Sequence, residues 1–217
     1  MSKGLLTAFY GGTFDPIHYG HLYPVIGLSR LINLPQVILL PNNVPLYRSR
    51  PEATPNQRLA MAQLAQADIP NNLLTIDERE LRRDTPSWTV ETFEELRREY
   101  GPIAPLGFII GQDSLLTLPQ WHRGRELLNL CHILVCARPD YACGLASNQS
   151  SRWLLSRLTT NPAALHRHPV GFIYCAATAQ LAISASEIRR RYREGLSCYG
   201  LLPHAVQSYI DEQGLYR

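Results

Sequence analysis

Two histidines beside a pair of glycines are the side chains in this chain best suited to chemistry. His18 and His21 lie three residues apart and follow the glycines at 11–12. The apolar run at 5–10 predicts a buried strand before them, and the periodic apolar segment at 22–34 predicts a helix after them. Residues three apart on a helix share a face, so both rings are expected to project the same way. Such a strand-to-helix turn presents backbone N–H groups and is typical of phosphate binding.

The segment from Ile183 to Arg189 predicts a second helix N-terminus. Ser184 is suited to the N-cap, and Glu187 three residues on completes a capping box, which is a full structural explanation for both. The same segment also places the hydroxyls of Ser184 and Ser186 at a helix N-terminus, with Arg189 one turn further in. Such an arrangement binds phosphate well. The residues alone leave both interpretations open.

Six apolar runs alternate with helical patterns, and these elements must position the two motifs. Candidate strands lie at 5–10, 36–41, 73–77, 106–110, 132–137 and 171–175. Candidate helices lie at 20–34, 54–67, 89–100, 113–118, 124–129, 150–159, 184–194 and 203–213. Several strands are continuous apolar runs, as expected of parallel strands covered on both faces. The pattern predicts an α/β fold with a Rossmann-like, doubly wound, open parallel sheet flanked by helices. We expect one domain over 1–217, in which 140–170 is an irregular insertion or connection.

Polar residues follow several of the predicted strands. Asn42 and Tyr47 come after the second strand, Asp113 after the fourth and Arg138 after the fifth. In open parallel sheets, the loops at the carboxyl ends of the strands line the ligand crevice. Asp113 either caps the following helix or accepts hydrogen bonds from a ribose, and both interpretations stay open. Each signal is weak alone, but their common position at one edge predicts a site.

Aromatic residues lie close to the same predicted edge. Trp88 stands between Ser87 and Thr89, either of which is suited to the N-cap of a helix. Trp88 itself is either part of the core or a stacking surface, and the local pattern does not decide. Trp121 and His122 follow the helical pattern that begins after the fourth strand.

Composition excludes several classes of protein. The formal net charge of +3 over 217 residues is too modest to argue for nucleic-acid binding. Five cysteines, an odd number without a C-x-x-C pair, argue against a disulfide framework and a zinc site, so reduced thiols are expected. No signal pattern or apolar run of membrane length is present, which favours a cytoplasmic protein without a membrane partner.

The two motifs together resemble the nucleotidyltransferase superfamily with the His-x-Gly-His signature. They read Gly12-Thr13-Phe14-Asp15-Pro16-x-His18-x-Gly20-His21 and Ile183-Ser184-x-Ser186-x-Ile188-Arg189. Within that superfamily the chain is similar to the bacterial nicotinic acid mononucleotide adenylyltransferases. The similarity includes a Pro-Asn-x-x-Pro loop, a Pro-Ser-aromatic-Thr turn, a Gly-x-Asp followed by tryptophan, an Arg-Pro turn and the closing segment 214–217. It covers essentially the whole chain.

This resemblance implies a reaction and a set of site residues. The adenylyl group of ATP would pass to nicotinate mononucleotide, giving nicotinate adenine dinucleotide and pyrophosphate, a step of NAD biosynthesis. Mg²⁺ would bridge phosphates and be held by substrate oxygens and water, so no protein metal ligand is expected. The implied catalytic residues are His18, His21 and Arg189. The implied ATP contacts are Gly12, Thr13, Phe14, His18, His21, Asp113, Ser184, Ser186 and Arg189. The implied mononucleotide contacts are Asn42, Tyr47, Trp88, Thr89, Trp121, His122 and Arg138.

Departures from the family pattern concern substrate affinity more than reaction type. Tyr47 stands where a phosphate-facing histidine is usual, and it cannot become cationic. Two alternatives stay open: an adenylyltransferase for nicotinamide mononucleotide or phosphopantetheine, and a catalytically weak nucleotide-binding regulator. His18 and the segment around Trp121 count against phosphopantetheine, whose enzymes usually carry threonine at the first position. The oligomeric state is not predicted.

Overall fold

A single parallel sheet organises the protein. The computed structural model describes residues 5–43, 50–137, 149–179 and 181–217. Its strands are β1 (Thr7–Gly12), β2 (Val37–Pro41), β3 (Leu74–Ile76), β4 (Leu106–Gly111), β5 (His132–Ala137) and β6 (Ile173–Ala177). They pair in the order β3-β2-β1-β4-β5-β6, and every pair is parallel. The order reverses between β1 and β4, where doubly wound sheets bind their ligands. The predicted fold class is confirmed.

Helices cover both faces of this sheet. They are α1 (Tyr19–Leu31), α2 (Pro55–Asp68), α3 (Thr89–Tyr100), α4 (Gln112–Thr117), α5 (Gln149–Leu155), α6 (Pro162–Arg167), α7 (Ala185–Arg193) and α8 (His204–Gln213). Short 3₁₀ turns occupy Pro70–Asn72, Leu118–Gln120 and Glu126–Asn129. Leu134 and Cys136 of β5 pack into the core beneath α1, α2 and α8, whereas Ile133 and Val135 pack beneath α3. This double coverage explains why the strand sequences are continuously apolar.

The observed elements correct several predicted boundaries. The helix predicted at 124–129 is a 3₁₀ turn, Glu126–Asn129, and the helix predicted at 150–159 ends at Leu155. Helix α6 was not predicted, although the Asn161 side chain caps it and Pro162 fills its first position. Cys175 is disulfide-bonded, so the expectation of reduced thiols was wrong for this residue.

A buried arginine joins the ends of β1 and β2. Helix α2 begins with a capping box, and Arg58 lies on its buried stripe together with Met61, Ala62 and Ala65. The Arg58 guanidinium donates to three backbone oxygens, those of Thr13 at 2.7 Å, Asn42 at 2.6 Å and Asn43 at 3.0 Å. Burial lowers the pKa of Arg58. One side chain therefore fixes the two loops that leave the sheet beside the switch point.

We expect Arg58→Met to lower the free energy of unfolding by at least ~3 kcal/mol, since each buried carbonyl left without a donor costs about 1–3 kcal/mol. Chemical denaturation measures the loss. Arg82→Met is the matched control, because Arg82 is 77% exposed and pairs only with Glu78 among the ion pairs of the described residues. It should change the free energy of unfolding by no more than ~0.5 kcal/mol. Equal effects of the two substitutions would show that the three hydrogen bonds of Arg58 do not stabilise the folded protein.

Candidate active site

The two histidines lie against each other at the start of α1. His18 is the N-cap residue, in extended conformation at φ −153° and ψ 170°, and His21 lies in the first turn. Their ring centroids are 3.7 Å apart and their planes differ by 27°. The shared face expected from their spacing is therefore observed. The N–H groups of Tyr19 and His21 already donate to the backbone oxygens of Leu201 and His18, at 3.0 Å and 2.8 Å. A ligand at these rings therefore meets the positive end of the α1 dipole rather than a row of free N–H groups.

A strained aromatic residue supports the second ring. Phe14 adopts φ 51°, a left-handed conformation that is uncommon for a bulky residue. This conformation places the Phe14 ring edge-on to His21, with centroids 5.3 Å apart. A Cβ on Gly12 would lie 2.6 Å from the same ring, so only glycine fits there. Strain of this kind is common where a site needs a fixed geometry.

The second motif packs directly on the first. A Cβ on Gly20 would lie 2.8 Å from the backbone oxygen of Ile183 and 2.9 Å from the His18 ring. Glycine between the two histidines therefore lets the chain that enters α7 approach them. Ser184 caps α7 by accepting from the N–H of Glu187 at 3.2 Å. The Glu187 carboxylate pairs instead with Arg190 and Arg191, so the predicted capping box forms only on the serine side. Ser184 and Ser186 are both exposed at this helix start.

Asp15 connects four segments of the chain behind the histidines. Its carboxylate accepts from the N–H groups of Glu52 at 2.9 Å and Ala53 at 3.1 Å. It also accepts from the buried hydroxyl of Tyr216 at 2.7 Å. Arg189 donates to the backbone oxygen of Asp15 at 2.7 Å and to the Glu52 carboxylate at 2.9 Å. The histidine turn, the start of α2, helix α7 and the C-terminal segment therefore meet at this one residue.

Polar side chains at two other strand ends face the same edge. Asn42 donates to the Thr13 hydroxyl at 3.4 Å, and its Oδ1 is buried without a hydrogen-bond partner among the described residues. Asp113 is exposed in the first turn of α4. The N-cap of α4 is Gly111, so the interpretation of Asp113 as a capping residue was wrong. The Asp113 carboxylate is instead free to meet solvent or a ligand beside Gly111.

The aromatic residues form a separate group. Trp88 is the N-cap of α3, so the expectation of a Ser87 or Thr89 cap was wrong; Thr89 is the first residue of the helix. The half-buried Trp88 ring lies 4.5 Å from the exposed His122 ring, at an angle of 36°. Trp121 donates from Nε1 to the Thr117 hydroxyl at 3.2 Å and packs on the core beneath it. Trp121 is therefore partly core and partly surface, whereas Trp88 is half-buried beside His122.

Burial makes His18 a neutral residue. Its side chain is 3% exposed, and desolvation lowers its pKa from 6.5 to about 4. His18 Nδ1 is buried and has no hydrogen-bond partner within the part of the chain that the structure describes. At neutral pH this ring therefore acts as a hydrogen-bonding group without a charge.

Two predicted site residues cannot be compared with the structure, and three residues near the site were not predicted from the sequence. Tyr47 and Arg138 lie outside the described residues. Arg58, Glu52 and Tyr216 were not predicted as site residues, although Tyr216 belongs to the closing segment that resembles the family. Across 5–43, 50–137, 149–179 and 181–217, no group of three His, Cys, Asp or Glu side chains could hold a metal ion, and no helix is long and apolar enough to cross a membrane.

The switch point, the stacked histidines and the adjoining helix α7 define a class of protein. Residues 9–191 match the family described as "Cytidylyltransferase-like". Because this match spans most of the chain, the protein is a nucleotidyltransferase of that class, as the two motifs predicted.

Relatives identify the narrower family. Over full length, the chain is 70% identical to a probable nicotinate-nucleotide adenylyltransferase of Sodalis glossinidius (strain morsitans). It is 56% identical to the protein of that name from Pectobacterium atrosepticum, over 98% of this chain and 99% of the relative. The fold matches the nicotinic acid mononucleotide adenylyltransferase of Plasmodium falciparum complexed with NaAD, with a TM-score of 0.70, 17% identity and 98% of each chain covered. The chain therefore belongs to the nicotinate-nucleotide adenylyltransferase family.

We expect His18 in the folded protein to titrate at about 4, whereas a histidine in an unfolded chain titrates near 6.5. NMR of the ring C–H signals measures this midpoint. Since the folded pKa is the lower one, the stability linked to His18 is complete above about pH 6.5 and is lost as the pH falls toward 4. His18→Gln should therefore reduce the loss of unfolding free energy between pH 7 and pH 4.5. A midpoint near 6.5 would contradict the burial argument.

We expect Tyr216→Phe to lower the free energy of unfolding by ~1–3 kcal/mol, because it leaves a buried carboxylate without one of its donors. It should also lower kcat for pyrophosphate release by up to roughly tenfold, which corresponds to about 1.4 kcal/mol of barrier, because Asp15 lies in the turn that positions His18. Tyr199→Phe removes a hydroxyl from a residue that is 87% exposed and should change neither quantity. Unchanged stability and kcat in Tyr216→Phe would mean that the backbone N–H donors alone hold Asp15.

Proposed function

We propose that this protein transfers the adenylyl group of ATP to nicotinate mononucleotide, releasing nicotinate adenine dinucleotide and pyrophosphate. The observation that carries the proposal is the stacked pair His18 and His21 at the N-terminus of α1, in contact with the chain that enters α7. Ring N–H donors and helix N-termini are groups that bind phosphate, and their proximity here supports the proposal. The names of its relatives, nicotinate-nucleotide adenylyltransferases, support the same reaction.

The chemistry needs positioning rather than a protein nucleophile. The 5′-phosphate of the mononucleotide attacks the α-phosphorus of ATP in line, the new P–O bond forms, and the bond to pyrophosphate breaks. His18 and His21 donate hydrogen bonds to the phosphoryl oxygens on which negative charge develops. Ser184, Ser186 and Arg189 hold the β- and γ-phosphates, so that pyrophosphate leaves along a fixed direction. In this scheme His18 acts as a neutral donor, because burial lowers its pKa to about 4.

We assign the mononucleotide, which receives the adenylyl group, to the aromatic residues near the start of α3. The indole of the N-cap residue Trp88 has no hydrogen-bond acceptor and cannot cap the helix. The first N–H groups of α3, from Thr89 onward, can therefore donate to the carboxylate of nicotinate. Trp121 offers a ring face for stacking. Asn42 has a buried acceptor that a ribose hydroxyl can satisfy, and Asp113 offers an exposed carboxylate to the ribose of a nucleotide. We keep Tyr47, His122 and Arg138 as further contacts of the mononucleotide.

We propose Mg²⁺ as the ion that bridges the ATP phosphates. Mg²⁺ keeps several waters and is commonly bound through substrate phosphates, where it neutralises charge on the leaving pyrophosphate. The protein's part is to fix the phosphates with Ser184, Ser186 and Arg189. With ATP and nicotinate mononucleotide as its substrates, the enzyme would work in the cytoplasm.

Pyrophosphate release from ATP and Mg²⁺, measured in parallel with four acceptor conditions, tests the proposal. The conditions are nicotinate mononucleotide, nicotinamide mononucleotide, phosphopantetheine and no acceptor. We expect release to be fastest with nicotinate mononucleotide. His21→Ala should lower kcat by ~10²-fold or more, the effect of removing a donor to a developing negative charge. Its circular dichroism spectrum should match that of the wild type. Release only with phosphopantetheine, or in the absence of an acceptor, would refute the proposal.

A further inference from the structure

Glu52 sits between two arginines of α7. Its carboxylate accepts from Arg189 Nε at 2.9 Å, and its two oxygens accept from Arg193 Nη1 at 3.1 Å and 2.9 Å. Arg189 and Arg193 are one helical turn apart and so lie on the same face of α7. Arg189 is the one closer to the N-terminus of α7, where Ser184 and Ser186 lie. The carboxylate therefore occupies the arginine that the proposed reaction assigns to phosphate.

The backbone holds Glu52 at this position. Its N–H donates to the Asp15 carboxylate at 2.9 Å, and Arg189 donates from Nη1 to the backbone oxygen of Asp15 at 2.7 Å. Arg189 is 18% exposed, whereas Glu52 is 42% exposed and Arg193 is 47% exposed. The acidic side chain thus covers a largely buried guanidinium from the solvent side. An ion pair fixed in this way differs from a chance contact between two mobile side chains.

We propose that Glu52 is a built-in counter-ion of the triphosphate site, which ATP displaces from Arg189 and which Arg193 then retains. The inference rests on the proposed role of Arg189 in phosphate binding. A carboxylate and a phosphate use the same planar donor edge of arginine, so they compete for it. Because Arg193 also pairs with Glu52, the carboxylate keeps a cationic partner when Arg189 turns to the phosphate. Glu52 therefore lowers the affinity for ATP, and Arg193 offsets part of this effect.

The first test is Glu52→Gln, which removes the charge, keeps the shape and leaves the backbone hydrogen bond to Asp15 intact. Calorimetry should show that a non-hydrolysable ATP analogue binds ~two- to fivefold more tightly, the range that an exposed ion pair allows. KM for ATP should fall by the same factor, and KM for nicotinate mononucleotide should not change. Glu194→Gln is the matched control, since Glu194 is 48% exposed at the end of the same helix and pairs with Arg190. It should alter neither constant.

The second test is a substitution of Arg193, the other ion-pair partner of Glu52, which should change the affinity for the ATP analogue in the opposite direction. Arg193→Ala leaves Glu52 with Arg189 alone, so the analogue should bind ~two- to fivefold more weakly. In the background of Glu52→Gln, the same substitution should have little effect, because the competing charge is already gone. If Arg193 instead contributed only through its general positive charge, Arg193→Ala would weaken binding equally in the wild type and in the Glu52→Gln variant.

The outcomes separate this inference from the proposed function. Unchanged or weaker binding of the analogue by Glu52→Gln would overturn it, since Glu52 would then be inert or would hold Arg189 in place for ATP. Equal effects of Arg193→Ala in both backgrounds would also overturn it. If the wild type binds the analogue but does not react with nicotinate mononucleotide, the proposed acceptor is wrong and the counter-ion stands. If the wild type does not bind the analogue, both proposals fail.

Discussion

The buried guanidinium of Arg58 is the interaction on which the site depends. Parallel strands end with backbone groups that turn toward the ligand crevice, and buried carbonyls there need donors. Arg58 supplies donors for the oxygens of Thr13, Asn42 and Asn43. Dehydrating a guanidinium is costly, and three short hydrogen bonds offset that cost. Because one side chain binds all three oxygens, the loops after β1 and β2 keep a fixed separation at the switch point.

Asp15 extends this constraint from the sheet to the rest of the chain. The turn that Arg58 holds through Thr13 continues into Asp15, which in turn receives Tyr216 and the start of α2. Arg189 binds the backbone of the same residue. Two motifs that are far apart in sequence are thus kept at one distance by hydrogen bonds to the turn itself. In the proposed reaction, a triphosphate that spans α1 and α7 would meet a site whose two halves are already aligned.

Sequence patterns predicted the features that depend on neighbouring residues, such as strands and helix faces, but not the contacts between distant segments. All six strands were predicted, several of them from continuous apolar runs, because strands buried on both faces have no polar positions. The shared face of His18 and His21 was predicted from their spacing, but their stacking was not, because His18 is an extended N-cap residue outside the helix. Tyr216 pairs with Asp15 across 201 positions of sequence, and no periodicity reports such a contact. Arg58 left a signal in its spacing from Met61 and Ala65, since a charged residue on a buried stripe requires partners. Trp88 is the N-cap of α3 in place of Ser87 or Thr89 and makes no side-chain cap hydrogen bond, so the preference for hydroxyl cap residues did not locate this helix start.

The electrostatics of the site follow from how its cations are covered. Burial keeps His18 neutral, and Asp15 and Glu52 place negative charge beside Arg189. These donors, which the proposed function assigns to phosphate, are therefore brought together without a cluster of unpaired positive charges that would repel one another. Helix N-termini contribute without titrating, since their partial charges belong to the backbone. In the proposed scheme, a triphosphate would gain most from a cation whose counter-ion can move, and Arg189 is such a cation because Arg193 also pairs with its partner Glu52. The affinity for ATP would then depend on the difference between two ion pairs rather than on the full strength of one.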